Sequence, residues 1–223
     1  MKKIIGISGL AGDGKDTVCN ILSSHFIMKG FTFERLSLAD SLKAECSKAL
    51  KSMFGIDPLN CSREEKEIIR DYLVFYAKVK RIQSNGKHWT SIVDKIIKAD
   101  KVHYISNKIY CIPDIRHGFY AEDEAQWVKK NNGILIHVKK FKIKSTYPYK
   151  IEYSTPVNEE EAFNTPIVEK YADHILELQD CSPEPPSLNP AYANGVYEVF
   201  KRILDSIDET KSHAVSQKKP KNQ

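Results

Sequence analysis

Short apolar runs alternate along the chain with longer segments in which apolar side chains recur at helical spacing. Strands are predicted at residues 3–8, 32–37, 108–112, 133–138 and 174–178. Helices are predicted at residues 15–28, 42–53, 62–83, 89–98, 122–130 and 192–207. This alternation is typical of an α/β domain with a mainly parallel sheet, in which ligands bind beyond the carboxyl ends of the strands. The residues that follow Ser8, Ser37 and Ile112 are therefore expected to meet at one cleft.

A glycine-rich loop follows the first predicted strand and is the strongest chemical signal in the chain. Its Gly-x4-Gly-Lys spacing, between an apolar strand and an amphipathic helix, predicts a phosphate-binding loop. Glycine lets backbone N–H groups point at phosphate oxygens, and the lysine brings a mobile positive charge to the β- and γ-phosphates of ATP. The predicted phosphate-binding residues are Gly9, Gly12, Asp13, Gly14, Lys15, Asp16 and Thr17.

Asp16 stands directly after the loop lysine, where many phosphate-binding loops carry Ser or Thr, and Thr17 comes one position later. The acidic side chain either faces a metal ion, often through water, or is favoured by the positive end of the helix dipole. Both interpretations stay open. Because Mg²⁺ commonly accompanies the phosphates of a nucleotide bound at such a loop, Mg²⁺ is the expected cofactor, and its candidate ligands are Asp16, Thr17 and Asp114.

Asp114 and Arg116 lie at the end of the third predicted strand. The carboxylate can orient a metal-bound water or an arginine, and the planar, permanently charged guanidinium suits bidentate phosphate binding. The alternative is an ion pair at the surface of a strand end. Because this strand end is expected at the cleft, the phosphate-binding interpretation is favoured.

Three further segments carry candidate acceptor-binding residues. Ala39, Asp40 and Lys43 follow the second strand, although an N-capped helix with a solvated lysine explains them almost as well. Arg70 lies on the long helix, where an ordinary charged face is the alternative. Trp89 is either a core aromatic, which is the more common role, or a platform on which a base stacks.

The combined motifs resemble the phage-type deoxynucleoside monophosphate kinases, which are P-loop kinases. The matching segments, which fall between residues 3 and 178, are Gly14-Lys15-Asp16-Thr17, Leu38-Ala39-Asp40-Ser41-Leu42-Lys43, Gly86-Lys87-His88-Trp89 and Asp114-Ile115-Arg116. The resemblance implies a three-layer α/β/α fold with a mainly parallel five-stranded sheet, a helical acceptor-binding insertion and a lid. One kinase domain would span residues 1–210, with the insertion at about 54–100 and the lid-like segment at about 139–165.

The same resemblance implies a reaction and a set of site residues. The γ-phosphoryl group of ATP would pass to a (deoxy)nucleoside monophosphate, giving ADP and the (deoxy)nucleoside diphosphate. The implied catalytic residues are Lys15, Arg70, Asp114 and Arg116. The implied acceptor-binding residues are Ala39, Asp40, Lys43, Arg70, Trp89 and Arg116.

Two departures from the family pattern leave alternatives open. Tyr120 stands where the family usually has a glutamate four residues after the arginine, and acids follow instead at Glu122 and Glu124. The lid-like segment contains no arginine, so a lysine-rich lid and a solvated loop are both allowed. The competing functions are a P-loop kinase for phosphomevalonate or dephospho-coenzyme A, and a nucleotide-binding module without enzymatic activity.

The net charge of +5 lies mostly at the C-terminal end, since residues 211–223 carry four lysines and no acid. The body is near neutral, so no nucleic-acid partner is expected, and the basic segment is expected to be a disordered tail. No apolar run approaches the ~20 residues of a membrane span. Five cysteines without a Cys-x2-Cys pair are expected to be reduced thiols of a cytoplasmic protein, in a host cytoplasm if a virus or phage encodes it. ATP and a (deoxy)nucleoside monophosphate are the expected partners, and a homodimer is left open.

Overall fold

The structure is a computed structural model that describes residues 3–100, 107–144, 150–180 and 190–216. Its strands are β1 (Lys3–Gly9), β2 (Thr32–Arg35), β3 (Lys108–Ile115), β4 (Ile134–Lys144), β5 (Lys150–Tyr153) and β6 (His174–Gln179). Its helices are α1 (Lys15–Met28), α2 (Leu38–Phe54), α3 (Arg63–Gln83), α4 (Lys87–Ala99), α5 (Glu124–Lys130), α6 (Glu159–Glu169) and α7 (Pro190–Ser216). All predicted strands and helices occur, several of them longer than predicted, while β5 and α6 were not predicted.

The sheet in the described residues has six strands and is mixed, whereas the sequence predicted five mainly parallel strands. Five strands run parallel in the order β2-β3-β1-β4-β6, and β5 pairs antiparallel with the end of β4. Phe141 pairs with Tyr153 of β5 on one edge and with Gln179 of β6 on the other. Strand β5 therefore extends the sheet on the β1 side, beyond the point where β1 ends.

The additional strand arises because β4 continues through the lysine-rich segment that the sequence suggested as a lid or loop. In residues 139–144, Phe141 and Ile143 alternate with lysines, which is the two-residue period of a strand. These two side chains lie opposite Tyr153 and Ile151 of β5. Cross-strand apolar pairs of this kind stabilise a two-stranded extension.

Helices cover both faces of the sheet, which gives three layers. On one face, α1 and α7 pack on the strands through a cluster that includes Leu22, Phe26 and Phe200. On the other face, α4 and α5 contribute Trp89 and Val128 to a second cluster. The strand ends that carry the predicted motifs are thereby held on a rigid central layer.

Helices α2 and α3 begin at side-chain caps. Helix α2 starts at Leu38, earlier than predicted, because the Ser37 hydroxyl accepts a hydrogen bond from the backbone N–H of Asp40 (3.2 Å). Helix α3 starts with a capping box in which Ser62 and Glu65 each accept a hydrogen bond from the other's backbone N–H. A third apolar cluster joins the two helices beside the sheet.

Two segments differ from the sequence prediction near the C-terminal end. Helix α6 begins within the lid-like segment, where the Asn158 side chain accepts a hydrogen bond from the backbone N–H of Glu161 (2.8 Å). Helix α7 continues to Ser216, past Lys211, where the sequence predicted the tail to begin, and residues 217–223 lie outside the described ranges.

Two features of the chain, its helices and its cysteines, bear on the predictions about membrane spans and about metal or disulfide pairs. Within the described ranges, no helix is both long enough and apolar enough to cross a membrane. The described cysteines Cys19, Cys46, Cys61 and Cys111 are free thiols, and Cys181 lies outside the described residues.

Candidate active site

The phosphate loop, residues 9–17, connects the carboxyl end of β1 to the first turn of α1. Gly12 and Gly14 have φ angles of 86° and 89°, in the left-handed region that residues with a Cβ rarely adopt. Gly9 packs so closely on β4 that a Cβ would lie 2.5 Å from the carbonyl oxygen of Val138. The loop therefore depends on backbone conformations and contacts that suit glycine.

Lys15 occupies the first position of α1, with its ammonium group folded over the phosphate loop. Its Nζ donates hydrogen bonds to the carbonyl oxygens of Gly9 (2.9 Å) and Leu10 (2.6 Å). Burial, followed by the nearby positive charge of Arg116, lowers the pKa of Lys15. An anion bound here would stabilise the charged ammonium, so the loop is electrostatically suited to phosphate.

The acidic residues of the loop have separate positions. Asp13 is buried, and its Oδ2 accepts a hydrogen bond from the backbone N–H of Leu10 (3.0 Å), which closes the turn. Burial is the main cause that raises its pKa. Asp16 is exposed in the first turn of α1 and pairs with Arg35 (2.5 Å), and Thr17 follows it, half-buried. Asp13 thus holds the loop together, and direct phosphate contact by this carboxylate stays a prediction.

Asp114 binds the start of α2 rather than a neighbouring arginine. Its carboxylate accepts hydrogen bonds from Ser37 Oγ (2.9 Å) and from the backbone N–H groups of Leu38 (3.2 Å) and Ala39 (2.8 Å). Burial raises the pKa of Asp114, and the hydrogen bond from Ala39 opposes that shift. Asp114 is therefore a positioning residue that joins β3 to α2. A role in organising a metal-bound water stays a prediction.

The loop after β3 carries Arg116 and is held by Glu124 of α5. Glu124 Oε2 accepts hydrogen bonds from the backbone N–H groups of Arg116 (2.6 Å) and His117 (3.1 Å). Glu122, by contrast, has a side chain that is 41% exposed and pairs with Lys130. Of the two acids that the sequence left open, the structure places Glu124 at the cleft. Among the described residues, no acceptor is paired with the Arg116 guanidinium.

Two cavities meet at Arg70 and Arg116. The first, called the acceptor cavity, has a volume of about 340 Å³, and its wall includes the predicted residues Ala39, Lys43, Arg70, Trp89 and Arg116. Asp40 is exposed and pairs with Lys43 (3.1 Å) instead. The second, called the phosphate cavity, has a volume of about 220 Å³ and borders Gly9 of the phosphate loop and both arginines. The structure thus brings together five of the six predicted acceptor residues.

Arg70 and Trp89 reach the acceptor cavity from helices α3 and α4. Arg70 is half-exposed, and its guanidinium pairs with Glu67 one turn earlier (2.5 Å). Trp89 is buried, and its indole N–H donates to the carbonyl oxygen of Ala77 (3.4 Å). Trp89 is therefore a core aromatic that also borders the cavity.

Arg81 lies buried at the acceptor cavity in a cluster of charges that the sequence did not predict. Its guanidinium is 3.3 Å from Asp123, 3.5 Å from Glu124 and 3.7 Å from Glu160. Burial raises the pKa of Asp123 to about 6. Burial, together with the charge of Arg81, lowers the pKa of His117 to about 3. No local pattern could identify this cluster, because the acids come from α6 and from the start of α5.

Helix α6 places a carboxylate on the phosphate loop, which the sequence also did not predict. Glu161 Oε1 accepts a hydrogen bond from the backbone N–H of Ala11 (2.7 Å), and Oε2 accepts one from Val157 (3.0 Å). Glu161 also borders the phosphate cavity. Its carboxylate accepts the hydrogen bond of a loop N–H group that an anionic ligand could use instead. Glu161 and such a ligand would therefore compete for the Ala11 N–H.

The lysines of the lid-like segment are paired with acids. Lys139 pairs with Glu169 (2.5 Å), and Lys140 and Lys142 both pair with Asp180 (3.2 Å each). Their charges are thus partly neutralised, and closure of this segment over a polyphosphate stays a prediction. Within the described residues, no group of three or more His, Cys, Asp or Glu side chains could hold a metal ion.

The chain matches no known family model and no curated protein. Among solved structures it is similar to a mutant of the APS kinase CysC of Mycobacterium tuberculosis, with 14% identity, a TM-score of 0.38, and coverage of 93% of this chain and 97% of that chain. It is also similar to TT1252 from Thermus thermophilus, with 16% identity, a TM-score of 0.44, and coverage of 92% and 97%.

Proposed function

We propose that this protein is an ATP-dependent phosphotransferase whose acceptor is a nucleoside monophosphate, as in the phage-type deoxynucleoside monophosphate kinases that it resembles. The observation that carries the proposal is Arg116, whose guanidinium has no paired acceptor among the described residues and borders both cavities. The permanently charged Arg116 borders both the phosphate cavity and the acceptor cavity, which suits a reaction that brings two phosphate groups together. Arg70 borders both cavities as well.

In the proposed reaction, the phosphate loop and Lys15 bind the β- and γ-phosphates of ATP at the positive end of the α1 dipole. An oxygen of the acceptor phosphate attacks the γ-phosphorus, the bond from that phosphorus to the bridging oxygen breaks, and ADP leaves. No protein base is required, because a phosphate monoester with a second pKa of about 6 is largely ionised near neutral pH. Catalysis is then positioning and stabilisation of charge.

The acceptor cavity suits a nucleotide because its wall contains both charged and apolar side chains. Arg70, Arg116 and Lys43 would bind the acceptor phosphate. Leu73 and Trp89 belong to the apolar part of the wall, which would contact the base.

The residues at the start of α1 fit a Mg²⁺ ion that accompanies ATP. Asp16 and Thr17 supply the hard oxygen donors that this ion prefers, beside the loop that would hold the phosphates. When bound, Mg²⁺ neutralises charge on the β- and γ-phosphates. When the ion binds, Asp16 would either keep its ion pair with Arg35 or give up that pair to face the ion.

A panel of acceptors tests the proposal. The purified chain, ATP and Mg²⁺ are incubated with each deoxynucleoside and ribonucleoside monophosphate, and separately with phosphomevalonate and dephospho-coenzyme A. We expect ADP release only with one or more nucleoside monophosphates, together with formation of the matching diphosphate. Transfer to another acceptor would keep the phosphate-loop assignment and remove the nucleotide assignment. ATP binding without any acceptor-dependent ADP release would indicate a nucleotide-binding module.

A further inference from the structure

Helix α3 exposes a continuous apolar stripe to solvent. Ile68 (69% exposed), Phe75 (66%) and Ile82 (54%) recur every seven residues, and the half-buried Tyr72 and Val79 lie between them. Alternating steps of four and three residues are the spacing of a coiled-coil seam. At 1.5 Å per residue, the stripe is ~21 Å long.

The stripe lies on the opposite side of α3 from the acceptor cavity. The cavity residues Arg70 and Ala77 come two positions after Ile68 and Phe75. Two positions correspond to a rotation of about 200° around a helix. Closure of α3 toward the cavity would therefore leave the stripe uncovered, so ligand binding does not explain it.

Two exposed aromatic side chains lie near the C-terminal end of the stripe. Ile82, Phe119 and Phe163 border a surface cavity of about 480 Å³, which charged side chains such as Lys78 and Glu159 also line. These two aromatic side chains are 59% and 54% exposed, and their ring centroids are 5.5 Å apart. Single exposed apolar residues are common on protein surfaces, but a contiguous apolar patch marks an interaction site.

Charges beside the stripe change sign along α3. Asp71 lies beside the N-terminal half and Lys78 beside the C-terminal half, one heptad later, and both are exposed. Neither side chain has an ion-pair partner among the described residues. An antiparallel second copy of α3 complements this pattern, because its Lys78 then lies on the same edge of the seam as Asp71 and close to it.

We propose that the stripe is the interface of a homodimer, in which two α3 helices pack antiparallel around a twofold axis near Phe75. Ile68 then meets the partner's Ile82, and Asp71 lies near the partner's Lys78. Both acceptor cavities stay open, because they lie on the other side of α3. This interface is independent of the proposed function.

Sedimentation velocity of the full chain over a range of concentrations tests the interface. We expect a dimer for the wild type, and we expect Phe75→Glu to weaken it by about 30-fold or more, as for a central interface residue. Met28→Glu is the matched control, because Met28 is 72% exposed on α1, in the layer on the other face of the sheet. The control should leave the dimer unchanged, and circular dichroism should show both variants folded.

Charge reversal tests the antiparallel arrangement. Asp71→Lys and Lys78→Asp should each weaken the homodimer, because each places like charges together twice. When the two single variants are mixed, both contacts of the heterodimer become attractive, so the mixture should associate more tightly than either variant alone.

Three results would overturn all or part of the proposal. A wild type that remains monomeric at about 100 μM would remove the interface. A dimer that tolerates Phe75→Glu would place the interface on another surface. A dimer that depends on Phe75 but whose charge variants do not recover on mixing would overturn the antiparallel arrangement.

Discussion

The phosphate loop and the acceptor cavity lie side by side but are built in different ways. The loop consists of consecutive residues, 9–17, and its shape depends on the backbone at Gly9, Gly12 and Gly14. The acceptor cavity is assembled from α2, α3, α4, α6 and the segment from β3 to α5. Its buried Arg81 forms ion pairs with Glu124 and Glu160, which lie far from it in the sequence. Substitutions in the loop should therefore affect chemistry while the fold persists, whereas substitutions under the cavity should affect both.

The largest effect is expected at Lys15. Lys15→Ala should lower kcat by about 10³-fold or more, because the charge at the transferring phosphate is lost. The melting temperature should change little, since among the described residues the Lys15 ammonium group donates hydrogen bonds to two loop carbonyls alone. Steady-state kinetics and calorimetry check both expectations. Turnover similar to the wild type would contradict the phosphate-loop assignment.

A substitution at Arg116 tests the junction between the two regions. Arg116→Lys keeps the charge but loses the planar fork, so we expect kcat/KM for the acceptor to fall by about 10- to 100-fold. A rise in the acceptor KM with unchanged kcat would indicate ground-state binding, and a lower kcat would indicate action on the transferring group. ATP affinity measured without acceptor should barely move. Normal constants for both substrates would show that Arg116 takes no part in substrate binding or catalysis.

Glu124 and Glu122 form a matched pair under and beside the acceptor cavity. Glu124→Gln should lower the free energy of unfolding by about 1–3 kcal/mol, because the buried Arg81 loses a charged partner. The acceptor KM should rise as well, since Glu124 holds the backbone of Arg116. Glu122→Gln should change stability by less than about 0.5 kcal/mol. Urea unfolding of both variants measures the difference, and equal effects would contradict the contrast.

His137, which lies beside the strand that leads into the phosphate loop, should make the free energy of unfolding depend on pH. Its ring lies 2.9 Å from Ser8 Oγ at the end of β1, and burial lowers its pKa from 6.5 to about 4. The folded chain therefore binds fewer protons than the unfolded chain as pH falls from 6.5 to 4. Stability should be lost across this range by about 1.4 kcal/mol per pH unit from this histidine.

The variant His137→Asn isolates this contribution. Its free energy of unfolding should fall less steeply on acidification than that of the wild type. His117, with a pKa of about 3, acts in the same direction, and Asp123, with a pKa of about 6, acts in the opposite one. His117 and Asp123 are present in both the wild type and the variant, so their contributions cancel when the two pH profiles are compared. Parallel pH profiles of the two proteins would show that His137 does not contribute to this pH dependence.

The smallest effect is expected at Glu161. Glu161→Gln keeps an acceptor for the Ala11 N–H but removes a negative charge beside the phosphate loop. ATP affinity should rise by about two- to fivefold, a modest gain because the side chain is only half-buried. Glu159→Gln, at an exposed position two residues earlier in α6, serves as the control. Isothermal titration calorimetry measures both, and unchanged affinity would show that Glu161 only anchors α6.

The two regions also differ in how far the sequence predicted them. The loop glycines and Lys15 were predicted as a group, because their spacing is itself the structural requirement. Ala39, Lys43, Arg70, Trp89 and Arg116 were predicted as acceptor residues, and they line one cavity. Asp114 was predicted beside a metal or an arginine, yet it binds the start of α2. A strand-end carboxylate has several partners within reach, and only packing selects one.

The sequence by itself determined the phosphate loop, the edge of the sheet where the motifs meet, and the order of the strands and helices other than β5 and α6. These features follow from local periodicity, glycine spacing and the geometry of parallel strands. The tertiary structure alone decided that β5 extends the sheet, that Glu124 rather than Glu122 lies under the cleft, and that Glu161 reaches the loop. The reason is physical, since the contact between Ala11 and Glu161 joins residues 150 positions apart, and the burial of Glu124 depends on packing that the local pattern does not encode.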